Sequence, residues 1–363
     1  MERLPGFVLV LCALSFPAAT RLYAAGVVSF QTIETIPCRV PERVKALARS
    51  PSGDFILVSS DGSTAFRLAS DTGALDLYPL RGIPARVGSN LDRIASLDVD
   101  RSGNLYMPAL WRGAGRSHHL GVFVFEREGT LDRVIELQPV VLARRIAIEP
   151  SGSIYVLGID PAYFKSGQEP CHLVHRYGPD GVRTHSFSPC PSELDLRRPG
   201  DVRPGPDWGR LKAETDRGHL WIQDGSIYHV LPVSRRVRVF DSAGRMVRES
   251  VLTPPPTAAD LLRGYGQQDV TLSGESVGRI WSAAAGGFVV QWLHTERRGN
   301  GQHNFPYLAV HDSSGSPVSR AATLPCKQCT PLAVDADGTV TFLRKTSPEG
   351  CELVTMRLSI APE

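Results

Sequence analysis

The amino-acid sequence predicts an all-β fold: a six-bladed β-propeller of four-stranded antiparallel blades, its ring closed by the N-terminal strand completing the last blade. Three observations carry this. An apolar strand, a Ser/Asp-Gly turn and a second apolar strand recur at a spacing of roughly fifty residues, the mark of one supersecondary unit reused. A second hairpin follows the first in each unit, and the two ends of the chain each hold part of a blade.

The first phrase reads Ala46–Leu57, Ala95–Tyr106, Arg145–Val156 and Leu332–Phe342. The second hairpin, with a turn of Gly and Asp, reads Arg67–Leu77, Val122–Asp132, Val174–Arg183, Arg238–Val247 and Ala309–Val318. Two hairpins make a four-stranded blade, and the units begin near Val44, Ile94, Ile146, Leu211, Ile280 and Leu332. The last unit, ending after Cys351–Ser359, lacks one strand, while the segment Val27–Pro37 is a strand without a blade. Pairing the two closes the ring and removes an open edge.

Before that strand, Arg3, an apolar run from Phe7 to Ala19 and small residues at Ala24 and Ala25 read as a secretory signal over residues 1–25, leaving a single propeller over 26–363. Leu11 before Cys12 disfavours a lipid anchor, and no later run approaches the ~20 apolar residues of a membrane span. The expected setting is exported, periplasmic or extracellular, and the expected state a monomer. With 34 Gly and 28 Pro the chain is rich in turn formers, and no stretch of helical period stands out. A net charge of only +3 points to neither nucleic acid nor an acidic membrane as partner.

The hairpins Val122–Leu131 and Val237–Arg248 resemble those of NHL-type six-bladed propellers, which run strand, Asp-x-x-Gly turn, strand, then a "V-F-D-x-x-G" hairpin. The resemblance covers nearly all of residues 26–363. The family's frequent Asp-x-x-Asn element is replaced here by insertions of varying length, so the resemblance implies the fold and no specific activity.

Beyond Cys12 the sequence holds six cysteines, an even number that implies disulfides in an exported chain. Cys171 and Cys190 flank the Gly178-Pro-Asp-Gly181 turn and should face each other. Overlaying the units sets Cys351 level with Cys171 and Cys38 level with Cys190, so ring closure brings Cys38 to Cys351, a bond worth on the order of 4–5 kcal/mol by loop entropy. Cys326 and Cys329, in Cys-Lys-Gln-Cys, read as a structural disulfide in preference to a redox pair or half a zinc site, because no second Cys pair or helix accompanies them.

Other candidate chemistry is sparse. Asp98–Asn104 is passingly like a calcium loop, but it lacks the distal Glu and fits a plain hairpin turn. His118-His119 and the His172, His175, His185 group show no convergent triad, because strand alternation sends neighbours to opposite faces. In a propeller the connections between second and third strands and between blades share one face. That face receives the long insertions Arg81–Asp92, Trp111–His119, Asp160–Pro170, Pro191–Trp208, Pro254–Glu275 and Glu296–Asn304.

These insertions carry the candidate ligand-binding residues Arg86, Trp111, Arg112, Arg116, His118, Arg198, Trp208, Arg297 and Arg298. Arg with aromatic neighbours suits an anionic or carbohydrate-like ligand or an acidic protein surface. The reading favoured is therefore an exported, non-catalytic binding propeller that uses its long-loop face, with no cofactor, no metal site and no catalytic residue assigned. The alternative is a propeller-type metal-dependent hydrolase or lyase, lactonase-like, holding a divalent metal over the channel; a thiol-redox role for Cys326 and Cys329 comes third.

Overall fold

A computed structural model describes residues 27–39, 44–59, 64–81, 91–94, 96–112, 118–139, 141–161, 163, 170–194, 196, 205–255, 270–283, 286–298, 301–324, 329–335, 337–347 and 350–361. The expected signal over residues 1–25 lies outside them.

Six antiparallel sheets form the ring. Blade 1 is β2 (Val44–Arg49), β3 (Phe55–Ser59), β4 (Ala65–Leu68) and β5 (Leu75–Tyr78). Blade 2 has a broken first strand, β6 (Leu91–Ile94) with β7 (Asp98–Val99), followed by β8 (Leu105–Arg112), β9 (His118–Phe125) and β10 (Leu131–Glu136). Blade 3 is β11 (Leu142–Ile148), β12 (Ile154–Ile159), β13 (His172–Tyr177) and β14 (Arg183–Pro189). A helix, α1 (Trp208–Arg217), precedes blade 4, which is β15 (His219–Gln223), β16 (Ser226–Leu231), β17 (Arg236–Phe240) and β18 (Met246–Val251). Blade 5 is β19 (Val270–Ser282), β20 (Phe288–Arg298), β21 (Gly301–His311) and the short β22 (Ala322–Thr323). Blade 6 is β23 (Cys329–Val334), β24 (Thr339–Lys345) and β25 (Cys351–Ala361), completed by β1 (Val27–Cys38).

The closure is as the sequence predicts. β1 pairs with β25 from Val27 opposite Ala361 to Cys38 opposite Cys351. A disulfide joins Cys38 to Cys351 at a Cα separation of 5.0 Å, and another joins Cys171 to Cys190 at 5.4 Å. Cys329 is disulfide-bonded as well, while Cys326 lies outside the described residues.

The recurring phrase folds the same way each time. In blade 1 the Gly53 amide donates to the Ser50 carbonyl and the Ser50 amide to the Asp54 carbonyl; Gly103 with Asp100, and Gly152 with Glu149, repeat the pattern. This is a turn closed by a left-handed glycine bulge, with φ of +93° at Gly53. Blade 4 departs from it with a two-residue Asp224-Gly225 turn, both residues at positive φ.

Packing follows from the ring. Among the described residues the core divides into six apolar clusters, one in each seam between neighbouring blades. A strand in mid-blade is therefore covered on both faces, and β12 is buried along its whole length.

Three expectations need correction. The fourth unit does not begin with a strand near Leu211: that residue lies in α1, and the first strand starts at His219. α1 itself, absent from the sequence reading, is a short amphipathic helix of ten residues held by tertiary contacts, with Leu211, Glu214 and Thr215 buried. Several insertions are shorter than read, because strands run into them: β8 and β9 take Trp111, Arg112, His118 and His119, β19 takes Val270–Glu275, and β20 and β21 take Glu296–Arg298 and Gly301–Asn304.

Candidate functional site: the central channel

The first strands of all six blades line a central cavity of about 240 Å³. Every blade contributes an apolar residue, Leu47, Leu97, Ile146, Leu220, Ile280 and Leu332 in blades 1 to 6. Beside these, blades 3, 4 and 5 add the basic side chains of Arg145, His219 and Arg279, and blade 2 adds Ser96. Asp98, at the end of blade 2's first strand, lines both this cavity and a second of about 470 Å³ that opens among the hairpin turns of blades 2, 3 and 4.

Local backbone irregularities aim the basic residues. In β11 the register with β12 shifts between Ala143 and Arg145, leaving Arg144 as the extra residue of a bulge. In β19 the same shift leaves Gly278 extra, just before Arg279. The Gly278 carbonyl, turned out of the ladder there, accepts a hydrogen bond from Nε2 of His219 at 2.9 Å. Arg279 donates from Nη1 to the Pro331 carbonyl at 2.9 Å, stitching blade 5 to blade 6.

The electrostatics are those of two cations drawn out of water. Burial lowers the pKa of Arg145, and repulsion from Arg279 lowers it further, with Asp216 opposing. Burial alone lowers that of Arg279, and no carboxylate pairs with it among the described residues. His219 is pushed down to about 4 by burial, partly offset by the Gly278 carbonyl, so at neutral pH it is an uncharged ring with its Nε2 proton committed. Burial raises Asp98 to about 6, although the amides of Val99 and Ile148 both donate to its carboxylate, at 2.9 and 2.8 Å.

α1 braces the rim. Glu214, fully buried, accepts hydrogen bonds from the Val233 amide at 2.9 Å, the Ser234 amide at 2.6 Å and the Ser234 hydroxyl. Asp216 pairs with Arg144 and accepts from Nζ of Lys212 at 2.8 Å. The bulged arginine is thus held by the helix, while its neighbour Arg145 lines the channel.

Of the residues expected from the sequence, two have described side chains, and both pack on the core. Trp111 is 7% exposed, stacked on His119 with ring centroids 5.6 Å apart, and belongs to the core between blades 1 and 2. Trp208 opens α1 and packs half-buried on the core between blades 3 and 4. Arg112 and His118 are opposite each other in β8 and β9, and Arg297 and Arg298 end β20; their strands are described but not their side chains. Arg86, Arg116 and Arg198 lie outside the described residues. The Asp98–Asn104 segment is the hairpin turn it was read as, with the Asp100 carboxylate accepting from the amides of Ser102 and Asn104.

Among the described residues no three His, Cys, Asp or Glu side chains converge as a metal would require. No helix there is long and apolar enough to cross a membrane.

Sequence reasoning missed Arg145, His219 and Arg279. One signal was present for Arg145 and Arg279. Aligned on their turn glycines, blades 1, 2 and 6 place Ala46, Ser96 and Pro331 where blade 3 has Arg145, and blade 5, aligned on Gly286, has Arg279 there too, two charged residues at a position otherwise small or apolar.

No family model matches the chain, and no curated protein sequence matches it. The likeness to NHL propellers therefore stands as the coarser statement, a six-bladed ring. Among solved structures the chain is similar to a member of the DUF4221 family from Bacteroides vulgatus, with a TM-score of 0.57 and 7% identity over 93% of this chain and 100% of that one. It is also similar to the PQQ-bound aldose sugar dehydrogenase of Streptomyces coelicolor (TM-score 0.47, 11% identity, 92% and 99% covered). A third is virginiamycin B lyase of Staphylococcus aureus (TM-score 0.46, 13% identity, 90% and 99% covered). At these identities the likeness is one of fold, and no ligand or reaction is carried over.

Proposed function

We propose that this protein is an exported, ligand-binding propeller whose central channel takes a small anion. The observation that carries the reading is the pair Arg145 and Arg279, two half-buried guanidiniums lining one cavity and repelling each other. Like charges held together out of water are costly, and an anion seated between them relieves both the repulsion and the lost hydration. Guanidinium also presents paired donors that match a carboxylate or phosphate oxygen edge. His219, uncharged between them, supplies a flat wall without adding charge. The disulfides support an oxidising compartment, in keeping with export through a signal over residues 1–25 and a single propeller over 26–363.

The test is thermal unfolding of the purified protein with inorganic phosphate, sulfate and small carboxylates, each against chloride at equal ionic strength. A ligand that binds only the folded state raises the midpoint with concentration, by about 2.7 kcal/mol of stability at a hundredfold excess over Kd. Arg279→Gln should abolish the rise. No rise with any anion, or an equal rise in Arg279→Gln, overturns the reading.

A further inference from the structure

We infer that the channel ligand is a small dipolar molecule, an aminocarboxylate whose carboxylate sits at Arg145 and Arg279 and whose ammonium group sits at Asp98. This rests on the anion-binding reading above and adds the ligand's second charged group.

The order of charges along the channel carries the argument. Arg145 and Arg279 hold one level of the wall, and Asp98 lines the same cavity nearer the hairpin turns. Hydrogen bonds between blades 2 and 3 fix the two levels. The Ile146 amide donates to the Ser96 hydroxyl at 3.2 Å and the Ile148 amide to Oδ2 of Asp98 at 2.8 Å, so the two chains run in step. Asp98 is therefore level with Ile148, three residues past Arg145 in β11, or about 10 Å along the strand at ~3.3 Å per residue. A ligand that meets both levels carries its complementary charges at opposite ends, not on one carbon.

Asp98 is a carboxylate short of a cation. Its oxygens accept from the amides of Val99 and Ile148, and no basic side chain pairs with it among the described residues. Burial disfavours its charged form, and repulsion from Asp100 adds to the effect. Beyond it the wall of the second cavity stays acidic, with Asp100, Glu149 and Asp224 against Arg101. A ligand hydroxyl would satisfy one lone pair of Asp98. An ammonium group also offsets the repulsion, and its charge-assisted hydrogen bond is roughly twice as strong as a neutral one. Size is no obstacle: a dry cavity of about 150 Å³ accommodates a benzene molecule, and the channel, at about 240 Å³, takes a short aminoalkanoate.

Titration calorimetry on the purified protein decides it, with γ-aminobutyrate, γ-hydroxybutyrate, butyrate, butylamine and inorganic phosphate as probes. γ-Aminobutyrate should bind the wild type at least tenfold more tightly than any of the others. Asp98→Asn should remove its advantage over γ-hydroxybutyrate, and Arg279→Gln should weaken it at least tenfold. If γ-hydroxybutyrate, butyrate or phosphate binds as tightly as γ-aminobutyrate and Arg279→Gln weakens it, the anion site stands and the dipolar ligand falls. A preference for γ-aminobutyrate that survives in Asp98→Asn also overturns the dipolar ligand. If butylamine matches γ-aminobutyrate, or no probe binds, both readings fall. Should Asp98→Asn fail to fold, the wild-type ranking alone decides.

Discussion

Gly181, in the second hairpin of blade 3, has φ of +82°, a backbone conformation that favours glycine. A Cβ there would fall inside van der Waals contact of the Glu136 carbonyl, at the end of blade 2. The Gly181 carbonyl in turn accepts from the Gln138 amide, so the turn tip is keyed into the previous blade. Gly129 against Pro79, and Gly315 against Val251, make the same contact at other seams. These glycines are readable in the sequence as turn residues; their second role, admitting the neighbouring blade, depends on a contact between segments distant in the chain. Gly181→Ala should therefore cost more than about 2 kcal/mol, combining a left-handed residue with a clash. Urea denaturation measures it, and a loss below 0.5 kcal/mol, within the ordinary range for surface substitutions, would contradict it.

α1 shows how an element arises without a strong local signal. Its ten residues lack a side-chain N-cap and acidic residues in the first turn, so little in its own sequence would start a helix. What holds it is Glu214, whose carboxylate ties the helix to the connection between β16 and β17 through Val233 and Ser234. Burial raises its pKa while those hydrogen bonds lower it, the former being the larger effect. Glu214→Ala would leave two partly buried amides without their acceptor, for a loss of about 2–4 kcal/mol by denaturation, whereas Glu214→Gln keeps an acceptor oxygen and should lose less. Equal loss in the two variants would show that helix packing alone matters. Because Asp216 on the same helix pairs with the bulged Arg144, melting α1 should also loosen the strand that carries Arg145.

At the scale of the whole ring, the Cys38–Cys351 bond closes a loop with a sequence separation of 313 residues. The loop-entropy estimate for so long a loop is about 6 kcal/mol, an upper figure. The double variant Cys38→Ala/Cys351→Ala should lower the unfolding midpoint in urea without abolishing the β1–β25 pairing, whose strand contacts remain. An unchanged midpoint would show that the strand pairing already holds the ring shut.

Acidity should act on the whole molecule through its buried histidines. Burial depresses His175, His219 and His311 to about 4 and His229 to about 3, from an ordinary 6.5. Below pH 6.5 the unfolded chain takes up protons that the folded chain refuses, so the stability these neutral rings contribute is present above 6.5 and lost as the pH falls toward 4. Asp98 has the opposite sign: raised to about 6, its contribution is lost as pH rises through 6. Glu214, also raised by burial, shares the sign of Asp98; with four histidines against these two carboxylates, the urea midpoint should fall between pH 7 and pH 4.5. A midpoint that is flat or rising toward acid would refute the balance.

The sequence by itself determined the architecture: the strand-turn-strand phrase, the glycines that close its turns, the strand at each end that needs the other, and the pairings Cys38–Cys351 and Cys171–Cys190. These are local patterns repeated in register, and repetition makes the relation between units readable. Only the tertiary structure decided the candidate site. Arg145, His219 and Arg279 are far apart in the chain and come together because three neighbouring blades present their first strands to one axis. The same geometry placed Trp111, read from the sequence as a ligand-binding residue, in the core, since β8 runs two residues into the insertion read as Trp111–His119. Strand length and the direction of a side chain at a bulge are set by the neighbouring strand's hydrogen bonds, which a single sequence read along its length does not display.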